Sequence, residues 1–222
     1  MKPLLLAALL LYTFGSGGLP AAEAGKENPE TKTDAAALAA DEKAVDHARE
    51  LLQAGNTEEA ATTARALVAA LTQRRGPLHK ETLRARYLLA SAWMDLGQNA
   101  EAEKELLALI PEFTRVFGAD HAETLGCRIK RLYAISAQGR RQEAAEEFRS
   151  SLIPDLERVL GPENRRTLVM RSNLALELIN LGRHEEALKE YRTLLPLCTL
   201  ALGAEDATTL DVRVQRADLL ST

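Results

Sequence analysis

Four Thr-Leu pairs recur along this 222-residue chain, Thr82-Leu83, Thr124-Leu125, Thr167-Leu168 and Thr209-Leu210, at spacings of 42, 43 and 42 residues. A fixed internal period of this length forces a repeat architecture, because each unit buries its apolar surface only by stacking on a copy of itself. Three further columns keep the phase. Gly76, Gly118, Gly161 and Gly203 precede the pairs by six residues, where a helix is expected to end in a left-handed cap. Gly97, Gly139 and Gly182 follow the leucines by fourteen residues, with Gly55 one period earlier, and mark a turn between two helices. Ala60, Ala102, Ala144 and Ala187 stand five residues beyond that turn, where a small side chain lets helices approach closely. The single extra residue of the middle unit lies between Gly139 and Pro154, and we place it near Ser150-Ser151.

Each unit reads as helix A, a glycine turn, helix B and a glycine-ended loop. Helix A begins near His79, His121, Asn164 or Asp206; Asn and Asp are strong N-caps and His a weaker one. In the third full unit Leu168, Leu174, Ala175 and Leu178 recur at helical spacing on helix A, as do Ala187, Leu188, Tyr191, Leu194 and Leu195 on helix B. Pro111, Pro154 and Pro196 fall inside the B helices, where a kink is expected. The apolar content is mostly Ala and Leu, aromatics are 4%, and β-branched residues never alternate, so strands are not expected. The fold class is all-α: a solenoid of antiparallel helix pairs with about nine helices.

Met1-Lys2-Pro3, the apolar run Leu4 to Leu11 and the Ala22-Glu23-Ala24 cleavage pattern read as a secretory signal peptide over residues 1–24. With the Tyr12-Thr13-Phe14 that follows it, the run is roughly a dozen residues against the ~20 that a spanning helix needs, so an uncleaved anchor is the weaker reading and the mature chain is expected to have no membrane span. The protein is therefore expected to be exported, periplasmic or extracellular. Residues 25–33 are polar, contain Pro29 and read as a flexible leader. The repeat domain is 34–222: a degenerate unit 34–75 with helix A starting after Thr33 or Asp34, full units 76–117, 118–160 and 161–202, and a lone helix in 203–222, either a cap or the start of another unit. Cys127 and Cys198 fall on non-neighbouring helices and read as buried thiols rather than a bridge.

The runs Leu160-Gly161-Pro162, Thr167 to Ala175 and Leu181-Gly182-Arg183-His184-Glu185-Glu186-Ala187-Leu188 resemble the 42-residue tetratricopeptide repeats typified by kinesin light chain. The resemblance runs from about Asp41 to the end and is weakest in the second full unit, where Arg131 stands at the position of Leu174. It implies a right-handed superhelix whose A helices line a concave groove for a peptide or partner protein. Groove positions carried over are Arg84, Tyr87, Ser91 and Met94, then Ile129, Lys130, Tyr133 and Ser136, then Ser172, Asn173, Leu176 and Ile179. The Lys/Asn pair of the clamp that holds chaperone tails is absent, since Tyr87 and Ser91 occupy its place. HEAT-like arrays share the period, but Gly-Arg-His-Glu-Glu-Ala is a tetratricopeptide signature.

The net charge is −4, with both signs spread along the chain, so no basic stripe invites nucleic acid. His47, His79, His121 and His184 lack metal-ligand spacing, and the loop histidines read as helix starts. No nucleophile elbow or phosphate loop is present, and the acidic residues read as solvated surface. The column Arg86, Arg128, Arg171 and Arg213 reads as a structural tie from helix A to a neighbour, with an anion ladder as its alternative. The functional expectation is a non-catalytic scaffold without cofactor or metal, binding a protein or peptide in its groove; the alternative is a structural protein that self-associates.

Overall fold

The computed structural model describes residues 29–221, with side chains from Asp34 onward. The elements are α1 (Pro29–Gln53), α2 (Thr57–Arg75), α3 (Lys80–Asp95), α4 (Asn99–Phe117), α5 (Ala122–Ala137), α6 (Arg141–Glu147), α7 (Ile153–Leu160), α8 (Arg165–Asn180), α9 (His184–Leu202) and α10 (Ala207–Ser221). A π-helical turn, Phe148–Leu152, joins α6 to α7 without a break. The described residues therefore form nine helices and no strand: A helices α1, α3, α5, α8 and α10, and B helices α2, α4, α6 to α7, and α9. Each inner A helix packs on the B helix before it and on its own B helix, which makes a solenoid. The segment read as a signal peptide, 1–24, lies outside the described residues. The helix at the N-terminus starts at Pro29, ahead of the expected Thr33 or Asp34, and proline costs nothing at the first helical position because its missing N–H has no intrahelical partner there.

The A helices start where the sequence places them. His79 Nδ1 accepts the Glu81 backbone N–H at 3.3 Å and His121 Nδ1 that of Glu123 at 3.2 Å. Asn164 accepts that of Arg166 at 2.9 Å and Asp206 that of Thr208 at 3.0 Å. The loop histidines are thus caps. The Thr82 hydroxyl donates to the Gly76 carbonyl at 2.9 Å and that of Thr124 to Gly118 at 2.7 Å, which ties the interunit loop to the first helical turn.

The two glycine columns do different work. Gly182 has φ 72°; its N–H reaches Ile179 O at 2.9 Å and the Arg183 N–H reaches Leu178 O at 2.8 Å, the two bonds of a Schellman turn. Gly161 has φ 93° and ψ 155°, which is not the left-handed helical cap expected but a region open essentially to glycine alone.

The extra residue of the middle unit is absorbed by the π turn, which contains Ser150 and Ser151. A π turn of this kind inserts one residue into a helix while keeping its backbone bonded. Pro154 then falls at the start of α7, whereas Pro111 and Pro196 sit inside α4 and α9.

Ala60, Ala102, Ala144 and Ala187 are all buried at the helix crossings. The core divides into four clusters; the largest gathers Leu132, Phe148, Leu156 and Leu174, and the last gathers Leu168, Tyr191, Leu194 and Val212. Cys127 and Cys198 are free and buried. One expectation fails: Asp41, Glu81, Glu123 and Glu177 are buried rather than solvated, because arginines and a serine of neighbouring helices meet the carboxylates of Asp41, Glu123 and Glu177, and Arg84 of the same helix meets that of Glu81. Among the described residues no helix is long and apolar enough to cross a membrane.

Candidate functional site

In the three full units the arginine column joins helix A to its own B helix. Arg86 on α3 bonds Glu105 at 2.6 Å and also Glu112, both on α4. Arg171 on α8 bonds Glu190 at 3.2 Å and Thr193 at 2.9 Å on α9. In the middle unit Arg131 occupies the leucine position and takes Glu147 at 2.8 Å, so Arg128 reaches past it to Asp155 and Ser151, each at 2.8 Å. The column is structural, and the weak match of the middle unit is a substitution of an ion pair for apolar packing.

Successive A helices meet through a seam of long polar side chains. Lys80 bonds Glu42 at 3.0 Å, joining α3 to α1. Arg84 holds Glu81 at 2.7 Å on its own helix and Glu123 at 3.0 Å on α5, with its guanidinium 5.8 Å above the Phe117 ring. Between α5 and α8, Asn173 donates to the Tyr133 hydroxyl at 2.6 Å, and the Ser136 hydroxyl donates to Glu177 at 2.6 Å. Arg141 completes the Glu177 carboxylate at 3.0 Å. Arg165 bonds Asp206 at 2.6 Å, joining α8 to α10. Gly126 sits where α8 reaches over α5: a Cβ there would stand 3.4 Å from the Arg166 guanidinium and 3.9 Å from the Tyr87 hydroxyl.

Burial shapes the charges along this seam. Desolvation raises the Glu81 carboxyl above its ordinary range, and Arg84 only partly offsets it. Desolvation likewise lowers the Lys130 ammonium, against the pull of Asp95, whose own carboxyl is raised by burial. Both groups on that pair are thus pushed toward neutrality. Among the described residues no group of three His, Cys, Asp or Glu is placed to hold a metal ion.

The twelve sequence-selected positions separate by depth. Ser91, Ile129 and Ser136 are buried, with Ile129 in the largest core cluster. Tyr87 and Met94 are half-buried and pack on the core between α3 and α4; Tyr133 and Ile179 pack on the largest cluster. Ser172 lies beside the Tyr191 phenol of α9. Arg84, Lys130, Asn173 and Leu176 are half-buried along the A helices, and Leu176 belongs to none of the four core clusters.

Sequence reasoning missed Glu81, Glu123, Arg166 and Glu177. A signal was present: the seam pairs Arg84–Glu123, Tyr133–Asn173 and Ser136–Glu177 are 39, 40 and 41 residues apart. Complementary polar residues just under one period apart are what neighbouring A helices require.

Comparison with family models finds no match, and comparison with curated proteins finds none either. Solved structures do match. Kinesin light chain TPR-like repeats from Podosopora anserina superpose with a TM-score of 0.69 at 22% identity, over 81% of this chain and 85% of that one. A Rap protein complexed with competence and sporulation factor gives 0.61 at 14% identity, over 82% of this chain and 53% of that one. BtubC (BKLC) from P. vanneervenii gives 0.52 at 11% identity, over 82% of this chain and 89% of that one. In fold the chain is a TPR-like helical solenoid, similar to the repeats of kinesin light chain.

Proposed function

We propose that this chain is an exported, non-catalytic scaffold that binds a peptide or partner protein along its A helices. The observation that carries the reading is the stretch Lys130, Asn173 and Leu176: a desolvated ammonium, an amide and an apolar side chain outside the core, half-buried on two successive A helices. Half-buried groups of this mix suit a bound backbone and one apolar anchor. The Rap protein of like fold, which was solved with competence and sporulation factor, supports a binding role. The signal-peptide reading of residues 1–24 supports export to the periplasm or the cell exterior.

The test begins with capture of partners from envelope extract, identification by mass spectrometry and titration against the purified chain. Leu176→Ala is expected to weaken binding by about 1 to 3 kcal/mol, as a central anchor does, with helicity retained. Tyr133 is the poorer probe, because its ring lies 6.3 Å from that of Phe148 and truncation would disturb the core. Unchanged affinity of Leu176→Ala for every captured partner would overturn the groove reading. N-terminal sequencing of the mature chain is expected to start near Gly25; an intact Met1 on cytosolic protein would overturn export.

A further inference from the structure

Among the described residues, α10 presents a face that every earlier full unit keeps covered. Leu168, Ala175 and Leu178 on α8 are 0% exposed, and so are Leu83 and Leu125, the earlier equivalents of Leu168. One period on from α8, Leu210 on α10 is 37% exposed and Leu220 is 59%, and Ala217 is exposed as well. In the earlier units the cover is the B helix of the same unit. The other side of α10 is seated normally, with Thr209 and Val212 buried.

The chemistry of that cover repeats in register. On α4 it is Ala102, Glu105, Leu106 and Leu109, and on α9 it is Ala187, Glu190, Tyr191 and Leu194. The middle unit starts the same way, with Ala144, Glu147 and Phe148, before the π turn shifts the phase. The alanine permits a close crossing, the apolar residues fill the seam, and the glutamate meets an arginine of helix A: Glu105 with Arg86, Glu147 with Arg131, Glu190 with Arg171. On α10 the equivalent of Arg86 and Arg171 is Arg213. Among the described residues its side chain finds the Ala204 carbonyl at 3.1 Å and no carboxylate. The buried Nε of Arg216, one turn further, has no hydrogen-bond partner.

We propose that this face of α10 docks an amphipathic helix of a second polypeptide with the pattern Ala-x-x-Glu-Φ-x-x-Leu, Φ being apolar, whose glutamate pairs with Arg213. Charge complementarity selects this occupant. A helix without the carboxylate leaves two guanidinium groups facing an apolar seam. A second copy of α10 would set Arg213 and Arg216 of both chains together. The site involves no residue of the groove, so its fate is separate from that of the groove.

Helix α9 itself carries the pattern, so a labelled synthetic peptide of residues 183–202 serves as the probe, titrated against the full chain by fluorescence anisotropy. Saturable binding is expected, weakened at least about tenfold by Leu210→Glu, a loss of the size an interface anchor carries. Glu190→Arg in the peptide should weaken binding about fivefold or more, and Arg213→Glu in the protein should restore it, since only opposite charges attract across the seam. Leu210 is exposed, so circular dichroism should be unchanged; if Leu210→Glu loses helicity, the charge swap alone decides. Absence of binding overturns the proposal. Binding that ignores both Leu210→Glu and the charge swap shows the peptide exchanging with its own copy in the array, and overturns it too. A concentration-dependent dimer of the chain that Leu210→Glu abolishes would give the face to a second copy and overturn it equally.

Discussion

Asn173 of α8 donates its amide to the Tyr133 hydroxyl of α5 at 2.6 Å, a direct bond between the A helices of two successive units. Burial raises the Tyr133 phenol well above its ordinary range, so it is neutral at any working pH and its hydroxyl remains a stable partner. A double-mutant cycle with Tyr133→Phe and Asn173→Ala should show a coupling of about 0.5 to 1.5 kcal/mol in urea denaturation, the net value of such a bond. A coupling near zero would show the two side chains to be independent.

Gly161 and Gly182 should respond differently to substitution. No atom lies within 4 Å of a Cβ added at either position, so any cost comes from the backbone. Gly161→Ala should destabilise by about 1 to 3 kcal/mol, and Gly161→Asn should not relieve it, because φ 93° with ψ 155° is foreign to both residues. At Gly182 asparagine should be tolerated better than alanine, since it enters the left-handed region of a Schellman turn more readily. Equal melting temperatures for all four variants would show these turns to be unconstrained.

The buried Glu81 sets a slope in stability against pH. Its folded-state pKa lies above the unfolded value, so the native chain binds more protons and stability falls as pH rises above about 4.5, through the folded value. Exposed Asp120 and half-buried Asp206 are lowered by hydrogen bonds from Arg158 and Arg165, so their contribution is present above about pH 4 and lost as pH falls through their folded values. Glu81→Gln should lessen the decline above about pH 4.5, leaving the part that the raised Asp95 carboxyl contributes, and keep the acid limb in place. Melting curves between pH 3 and 7 check this, and parallel curves for both proteins would refute it.

Burial pushes the Cys127 thiol up to about 12 and raises Cys198 as well. Native protein at pH 8 should therefore give no reaction with Ellman's reagent on the timescale of minutes, because the thiolate is the nucleophile and neither sulfur is accessible. Adding guanidinium without reductant should release both thiols. Detection of none would reveal a bridge that the native geometry does not contain.

The backbone plan of this protein was legible because its signals are local and repeat. Glycines needed for special φ, small residues at crossings and capping residues recur in phase, and even the inserted residue near Ser150 was visible as a break in the count. The seam was much less legible. Glu123 and Glu177 look like ordinary surface acids within one unit, and only a neighbour almost a full period away makes them buried partners. Tyr133 shows the same limit: helical phase puts it on the A-helix face, but its contacts with Phe148 and Asn173 belong to packing between elements.

The polar seam also gives the array unequal stiffness on its two sides. Contacts between A and B helices combine an apolar core with arginine–carboxylate pairs such as Arg86–Glu105 and Arg171–Glu190, whereas neighbouring A helices are joined largely by polar side chains, including ion pairs such as Lys80–Glu42 and Arg165–Asp206 that lie more in water. Screening those charges loosens one side of the column while the other keeps its length, as a strip bends when one surface relaxes. The curvature of the molecule, rather than its helix content, is then the property expected to respond to ionic strength. A ligand of variable girth could then be accommodated by bending the array rather than by repacking its core.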